Sequence, residues 1–144
     1  MIEIRKIRTG DLPQLAELYG ELVEEKSGGP KMRETFARIE ADDRYVLLGA
    51  FEGERLAGSA MAVFCYDPIG DCRPFMVVEN VIVSERFRGK KAGRLLMEEL
   101  ERLAKERSCG YAILVSSGFR KEAHAFYESL GYTEDVRGFR RRLD

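Results

Sequence analysis

The stretch "VENVIVSERFRGKKAGRLLMEELERLAKE", residues 78–106, decides the fold class. It begins with a β-branched apolar segment, which is typical of a buried strand. A basic turn with two glycines follows, and from Ala92 to Glu106 leucines recur at spacings that place them on one face of a helix. The next apolar segment, YAILV at 111–115, completes a strand–helix–strand crossover, which is normally parallel and right-handed.

The N-terminal half extends this pattern into a mixed α/β layer fold. IEIRKIR alternates apolar and charged residues, which predicts a half-buried strand. An amphipathic helix follows, with Asp11 as its N-cap and Pro13 in its first turn, and a weaker helix carries Met32 and Phe36. Residues 45–66 predict a β-hairpin with its turn at 52–54.

The C-terminal part adds a helix over 120–130, closed by Gly131, and a segment at 139–143 that predicts an edge strand. No linker or repeat divides the chain. We therefore predict a single domain over residues 1–144, with a central mixed sheet of about six to seven strands flanked by about four helices.

Composition excludes several classes of protein. The chain has 144 residues, and 24 Lys and Arg balance 25 Asp and Glu, which argues against a protein that coats nucleic acid. Three cysteines without a C-x-x-C pair, beside one histidine, indicate neither a disulfide framework nor a zinc site. Without an apolar leader or a long apolar run, we expect a cytoplasmic protein that binds no metal, membrane or nucleic acid.

The basic turn has the features of an anion site. Between Arg86 and Arg94 it holds five basic residues and no acid. The start of a helix leaves backbone N–H groups without partners and carries a partial positive charge, and glycines let a phosphate approach closely. A solvated basic turn explains the same residues equally well, because the spacing fits neither a P-loop nor a dinucleotide motif.

Two segments resemble signatures of the GNAT acetyltransferase superfamily. VIVSERFRGKKAGRLLMEEL resembles its acetyl-CoA-binding signature, in which an apolar strand precedes Arg-Gly-x-Gly-x-Gly and a helix with paired leucines. EAHAFYESLGY at 122–132 resembles its second signature, and matching elements cover nearly the whole chain. The resemblance implies an acyl-CoA N-acyltransferase fold with splayed fourth and fifth strands. It also implies transfer of an acetyl group from acetyl-CoA to a primary amine of a small molecule or peptide by direct attack in a ternary complex, and it allows a homodimer.

The resemblance assigns the pantetheine of CoA to the strand end and the pyrophosphate to the turn. The residues it implies in CoA binding are Val81, Ile82, Val83, Arg88, Gly89, Lys90, Lys91, Ala92, Gly93, Arg94, Ser117 and Tyr127. Lys91 stands where the family pattern has a glycine. A positive φ there would cost about 1 kcal/mol or more, whereas an ordinary helical φ would cost nothing. We predict the helical φ, because the position lies within the first helical turn.

Two residues are candidates for catalysis. Tyr127 falls at the family's tyrosine position, which implies the acid that protonates or hydrogen-bonds the CoA sulfur; without the resemblance, a tyrosine packed in the core is the simpler interpretation. Glu79 is a carboxylate in an apolar strand, and the resemblance implies a base acting directly or through water. An outward-facing residue paired with a cation explains it equally well. Whether Glu79 or Asn80 points into the site depends on a bulge that the sequence cannot locate.

The acceptor side is less well specified. We expect specificity from residues 19–36 and from the loop 66–74, and the acids Glu21, Glu24 and Glu25 would attract a cationic amine unless they only form a solvated helix face. An alternative function is a non-catalytic acyl-CoA-binding or regulatory module, since Lys91 and Arg120 depart from the family pattern.

Overall fold

The computed structural model describes residues 1–115 and 121–144, which contain five strands and four α-helices. The strands are β1 (Ile2–Lys6), β2 (Tyr45–Glu52), β3 (Arg55–Cys65), β4 (Phe75–Val83) and β5 (Ala112–Leu114). The helices are α1 (Leu12–Tyr19), α2 (Gly29–Ala41), α3 (Ala92–Glu106) and α4 (Lys121–Ser129). The chain divides into two compact units, Met1–Ile113 and Leu114–Asp144.

The strands form one sheet in the order β1-β2-β3-β4-β5, and β1 to β4 are antiparallel neighbours. Strands β2 and β3 are the predicted hairpin, and Gly53 takes the positive φ of +60° that its tight turn needs. After α3 the chain returns beside β4, where the Met76 N–H donates to the Tyr111 carbonyl at 3.0 Å. The predicted α/β layer fold with four helices is confirmed.

The predicted count of six to seven strands is wrong, because the described residues contain five. The segment 139–143 is not a strand, and its apolar residues Phe139 and Leu143 are 89% and 92% exposed. A strand is stabilised when one of its two faces is buried. This segment consists of three consecutive arginines between two exposed apolar residues, so it would bury neither face. The splay of β4 and β5 stays a prediction.

The two faces of the sheet pack against different helices. Helices α1 and α2 cover one face through a core cluster that we call the α1–α2 core: Ile7, Leu12, Leu15, Leu18, Phe36, Leu47, Phe51, Leu56 and Ile82. Met61 of β3 packs against that cluster, whereas a Cβ built on Gly58 would lie 3.4 Å from Leu96 of α3. Because odd and even residues of a strand face opposite sides, α3 covers the other face.

Asp11 occupies the N-cap position of helix α1, as predicted, but its side chain makes no capping hydrogen bond to the helix. The Asp11 carboxylate accepts two hydrogen bonds from the Arg5 guanidinium, at 2.8 and 3.1 Å, and one from the Arg8 N–H at 2.7 Å. The Asp11 side chain therefore ties the helix to β1 and does not cap it, although Pro13 lies in the first turn as predicted. The Arg5 hydrogen bonds hold the pKa of Asp11 below its usual range.

Candidate active site

A β-bulge interrupts β4 at Asn80. Ile82 lies opposite Ser59, and Glu79 lies opposite Met61. Two β4 residues therefore lie between Glu79 and Ile82, whereas only one β3 residue lies between Ser59 and Met61. Asn80 has a φ of +54°, in the left-handed region that asparagine tolerates better than most residues. This is the bulge that the sequence could not locate.

The bulge reverses which β4 residues face the α1–α2 core. Before it, Met76 lies opposite Phe64, and the guanidinium of Arg107, the residue that follows α3, lies 4.1 Å from the centre of the Phe64 ring. Met76 therefore lies on the α3 side of the sheet. After it, Ile82 belongs to the α1–α2 core. A strand without an extra residue would keep one phase throughout, with Ile82 on the α3 side. Glu79 and Asn80, at the reversal itself, are both exposed.

A cavity of about 450 Å³ lies between α1, α2 and the sheet. Its floor is mainly apolar and includes Leu15, Met32, Phe36, Leu47 and Met61; its polar lining includes Tyr19, Ser27, Thr35 and Asn80, with Lys26 and Lys31 at the start of α2. This volume, with an apolar floor and few polar groups, is typical of small-molecule sites. Burial raises the pKa of the Tyr19 phenol, so its hydroxyl stays protonated and can donate a hydrogen bond.

Glu79 lies on the face of the sheet that carries this cavity. It is directly opposite Met61, a lining residue, and residues directly opposite in antiparallel strands project to the same side. Within residues 1–115 and 121–144, no cation pairs with its carboxylate. The bulge thus places the Glu79 carboxylate next to Asn80, which lines the cavity, while Glu79 itself is not among the lining residues. The catalytic role of Glu79 stays a prediction.

The basic turn between β4 and α3 contains two residues with left-handed backbone angles. Gly89 has a φ of +84°, and Lys91 has φ +66° and ψ +12°. The predicted helical φ for Lys91 is therefore wrong. Lys91 is the N-cap of α3, whose first helical bond runs from the Leu95 N–H to the Lys91 carbonyl at 3.0 Å, so it lies before the first turn and not within it.

The start of α3 leaves backbone donors open. Among the residues that the structure describes, none accepts a hydrogen bond from the N–H groups of residues 91–94. Ala92 is 1% exposed and Gly93 is buried, which fixes the helix start against the sheet. At Gly89 the φ requires glycine, and a built Cβ would meet no atom within 4 Å, so the space above the turn is open. These features fit the diphosphate of CoA.

Some basic side chains of the turn already have acidic neighbours. The Lys90 ammonium lies 3.2 Å from both carboxylate oxygens of Glu52, and the Arg88 guanidinium lies 3.9 Å from the Glu85 carboxylate. Arg86, Lys91 and Arg94 make no ion pair with any described residue. The unpaired positive charge of the turn therefore lies on these three side chains and on the open amides.

The strand end that precedes the turn is partly buried. Ile82 is buried while Val81 and Val83 are half-buried. Val83 lies opposite Gly58, where an added Cβ would come within 2.9 Å of the Ile82 carbonyl oxygen. A glycine at position 58 thus permits the close approach of β3 to this strand end, while backbone contacts from residues 81–83 to pantetheine stay a prediction.

One acid of the α1–α2 loop has a different role from the expected attraction of an amine. The Glu21 carboxylate accepts hydrogen bonds from the Ser84 hydroxyl and the Glu85 N–H, both at 3.0 Å. It therefore anchors the loop to the first residues after β4. Glu24 and Glu25 are exposed and do not line the cavity. No spacing in the sequence pairs Glu21 with Ser84, because the contact forms only in the folded chain.

In the second unit, α4 carries Tyr127. Its half-buried ring lies 5.2 Å from that of Phe126 and 6.2 Å, edge-on, from that of Tyr132. Gly131, with a φ of +99°, closes the helix as predicted, and the Tyr132 N–H donates to the Tyr127 carbonyl at 3.1 Å. The role of Tyr127 stays a prediction. Ser117 and Arg120 lie outside the described residues.

The described residues show no metal-binding cluster and no membrane-spanning helix. They contain no group of three or more His, Cys, Asp or Glu side chains that could hold a metal ion. In the same ranges, 1–115 and 121–144, no helix is long and apolar enough to cross a membrane.

Comparisons with known proteins agree with this geometry. The model of the acetyltransferase (GNAT) family matches residues 12–132. A glucosamine 6-phosphate N-acetyltransferase of Trypanosoma brucei brucei is 28% identical over 96% of this chain and 94% of its own length. The crystal structure of the Arabidopsis thaliana glucosamine-6-phosphate N-acetyltransferase is 26% identical, with a TM-score of 0.90 over 100% of this chain and 99% of that one. A Bacillus halodurans structure described as a transcriptional regulator is 25% identical, with a TM-score of 0.93 over 99% and 100% of the two chains.

Proposed function

Because the chain belongs to the acetyltransferase (GNAT) family, we propose that it transfers an acetyl group from acetyl-CoA to a primary amine of a small molecule. Beyond the family itself, one observation supports the proposal. A single continuous segment, residues 79–94, carries a bulge that opens onto a small-molecule cavity and a helix start with open backbone donors. The first feature suits an acceptor, and the second suits the phosphates of a donor.

The donor would be held at the turn. Open N–H groups of residues 91–94 would bind the diphosphate, with the Lys91 ammonium and the Arg94 guanidinium adding charge-assisted hydrogen bonds. Acetyl-CoA, when bound, supplies an acetyl group activated as a thioester. The remaining chemistry consists of proton movements and positioning by the chain's own residues.

The acceptor must present an uncharged nitrogen. An alkylammonium has a pKa of about 10.4, so most of it is protonated at neutral pH and a base is required. The Glu79 carboxylate, on the cavity face and without a cationic partner among the described residues, would accept that proton directly or through water. The Asn80 amide and the Tyr19 hydroxyl, which both line the cavity, would orient the acceptor. Tyr127 would donate its phenolic proton to the departing sulfur.

The cavity suits a compact small molecule. It is lined from two helices and the sheet, and about 450 Å³ is enough for a molecule such as a monosaccharide. Two similar proteins are named for glucosamine 6-phosphate. That amino sugar is therefore the first acceptor to test.

A thiol-release assay tests the proposal. Acetyl-CoA is incubated with the protein and a panel of amines: glucosamine 6-phosphate, glucosamine, a diamine and a short peptide with a free N-terminus. We expect amine-dependent release of CoA with at least one small molecule, and mass spectrometry should find the N-acetylated product. Release that is independent of every amine, or absent, would contradict the proposal.

A second candidate is a module that binds acyl-CoA without catalysis. It is supported by the left-handed conformation of Lys91 in the basic turn. It is also supported by the similar Bacillus halodurans protein, which is described as a transcriptional regulator. Calorimetry separates the two functions. Saturable CoA binding with no turnover on any amine favours the module, and turnover excludes it.

A further inference from the structure

The charged residues that line the cavity are all of one sign. Among the described residues, Lys26 and Lys31 are the charged ones that line it, and both lie beside the start of α2. No carboxylate lines it within the described parts of the chain, although the sequence as a whole has one more acid than base. A site for a purely cationic amine would be expected to carry the opposite charge, because like charges repel the ligand.

Neither lysine is neutralised by a described residue. In residues 1–115 and 121–144 their ammonium groups have no hydrogen bond and no carboxylate within 4.0 Å. Glu24 and Glu25, which are close in sequence and exposed, do not pair with them. Two unpaired ammonium groups at one cavity are mutually repulsive, and a bound anion would relieve that repulsion.

The polar groups of the cavity come from different elements of the fold. Asn80 lies at the β4 bulge with Glu79 beside it, whereas Lys26 and Lys31 lie near the start of α2. Met32, Phe36 and Met61 line the apolar surface. An acceptor could place its amine beside the β4 bulge and an anionic group beside the two lysines. The part of the acceptor between these groups would then contact the apolar residues of the cavity.

We propose, building on the acetyltransferase function above, that the acceptor amine carries a phosphate monoester and that Lys26 and Lys31 bind this phosphate at the cavity. A phosphate ester carries a charge of about −1.5 to −2 at neutral pH, which two ammonium groups balance better than they would balance a single carboxylate. Each lysine would contribute a charge-assisted hydrogen bond. Specificity would then come from a phosphate subsite on α2 and the loop before it.

A matched pair of acceptors tests the inference. Glucosamine 6-phosphate and glucosamine differ only in the phosphate, and we expect the phosphorylated amine to have a kcat/KM higher by about tenfold or more. The advantage should shrink as salt is added, because exposed charges are screened. An equal kcat/KM for the two amines, or a preference for glucosamine, would overturn the inference.

Substitutions identify the residues. Lys26→Gln and Lys31→Gln should each raise the KM for glucosamine 6-phosphate by about fivefold to tenfold while changing that for glucosamine by less than about twofold. Arg33→Gln is the matched control, because Arg33 is an exposed cation on the same helix that does not line the cavity. If the lysine variants raise both KM values equally, or the control has the same effect, the lysines do not bind the phosphate.

A binding measurement keeps this inference separate from the function it builds on. If no amine is acetylated, the proposed function fails, and calorimetric titration with the same two amino sugars still decides the phosphate subsite. Tighter binding of glucosamine 6-phosphate that is lost in Lys26→Gln and Lys31→Gln supports the subsite. Equal binding of the two sugars, or binding that the variants leave unchanged, overturns it.

Discussion

The ammonium of Lys90 lies 3.2 Å from both carboxylate oxygens of Glu52, the last residue of β2. This contact brings an acid from the β2–β3 hairpin next to a turn that has none in sequence between residues 86 and 94. The ion pair therefore reduces the positive potential of the proposed phosphate site. It also explains why counting basic residues along the sequence overstates the charge available to a ligand.

Removing that acid should strengthen CoA binding. We expect Glu52→Gln to lower the Kd for CoA by about twofold to fivefold at low salt, because Lys90 would be released toward the diphosphate and exposed pairs of this kind contribute little to stability. Calorimetric titration of the wild type and the variant measures the change. Glu54→Gln, in the turn that follows β2, is the control. Weaker binding in Glu52→Gln would mean that the pair positions Lys90 for the ligand.

The left-handed lysine at the start of α3 should be a source of strain. We expect Lys91→Gly to raise the free energy of unfolding by about 0.5–1 kcal/mol, since glycine adopts a φ of +66° without the Cβ clash. Urea denaturation measures this difference.

The Lys91→Ala variant distinguishes the effect of backbone strain at position 91 from the effect of the ammonium charge. Alanine removes the ammonium but keeps the Cβ, so its free energy of unfolding should stay near that of the wild type while its CoA affinity falls as far as that of Lys91→Gly. If the glycine variant is no more stable than the alanine variant, position 91 is not strained.

The Arg5–Asp11 contact should make stability depend on pH. Because the Arg5 hydrogen bonds lower the pKa of Asp11 in the folded protein, the stabilisation is present above the unfolded-state pKa of about 3.9 and is lost as the pH falls through the lower folded-state value. We expect Asp11→Asn to cost about 1–3 kcal/mol at neutral pH and progressively less below about pH 4. Denaturation of the wild type and of Asp11→Asn across pH 2 to 7 shows whether their free energies of unfolding converge at low pH. A difference between the two free energies that stays constant with pH would contradict the prediction.

The two bulge residues, Glu79 and Asn80, should affect different kinetic constants. We expect Glu79→Gln to lower kcat by about a hundredfold or more, the usual effect of removing a general base, with little change in thermal stability because Glu79 is exposed. Asn80→Gly keeps the left-handed backbone and removes the amide, so it should raise the acceptor KM more than it lowers kcat. A Glu79→Gln variant with normal turnover would leave water or another group as the base.

Most of the fold could be predicted from periodicity. The leucine spacing of α3, the alternation in β1 and the glycine turn of the β2–β3 hairpin are local patterns, and the structure forms each where expected. The predicted C-terminal strand at 139–143 does not form, because three arginines between two apolar residues supply neither a partner strand nor a buried face, as the exposure of Phe139 and Leu143 shows.

The donor side could be proposed from the sequence because its candidate ligands are consecutive backbone groups, and its assignment to CoA stays a prediction. The acceptor side could not be specified in the same way, because it depends on contacts between distant segments. The bulge at Asn80 is a matter of pairing register with β3, and the cavity brings Tyr19, Lys26 and Met61 together from a helix, a loop and a strand. Glu21, predicted to attract an amine, instead bonds to Ser84 and Glu85.

The most direct test of the central claim is the rate of CoA release from acetyl-CoA with glucosamine 6-phosphate as acceptor, followed by mass spectrometry of the sugar. We predict saturable release that requires the amino sugar, yields its N-acetylated form and falls by about a hundredfold or more in Glu79→Gln. Release without any acetylated amine, or saturable CoA binding without release on any member of the amine panel, would contradict the claim that this protein is an N-acetyltransferase.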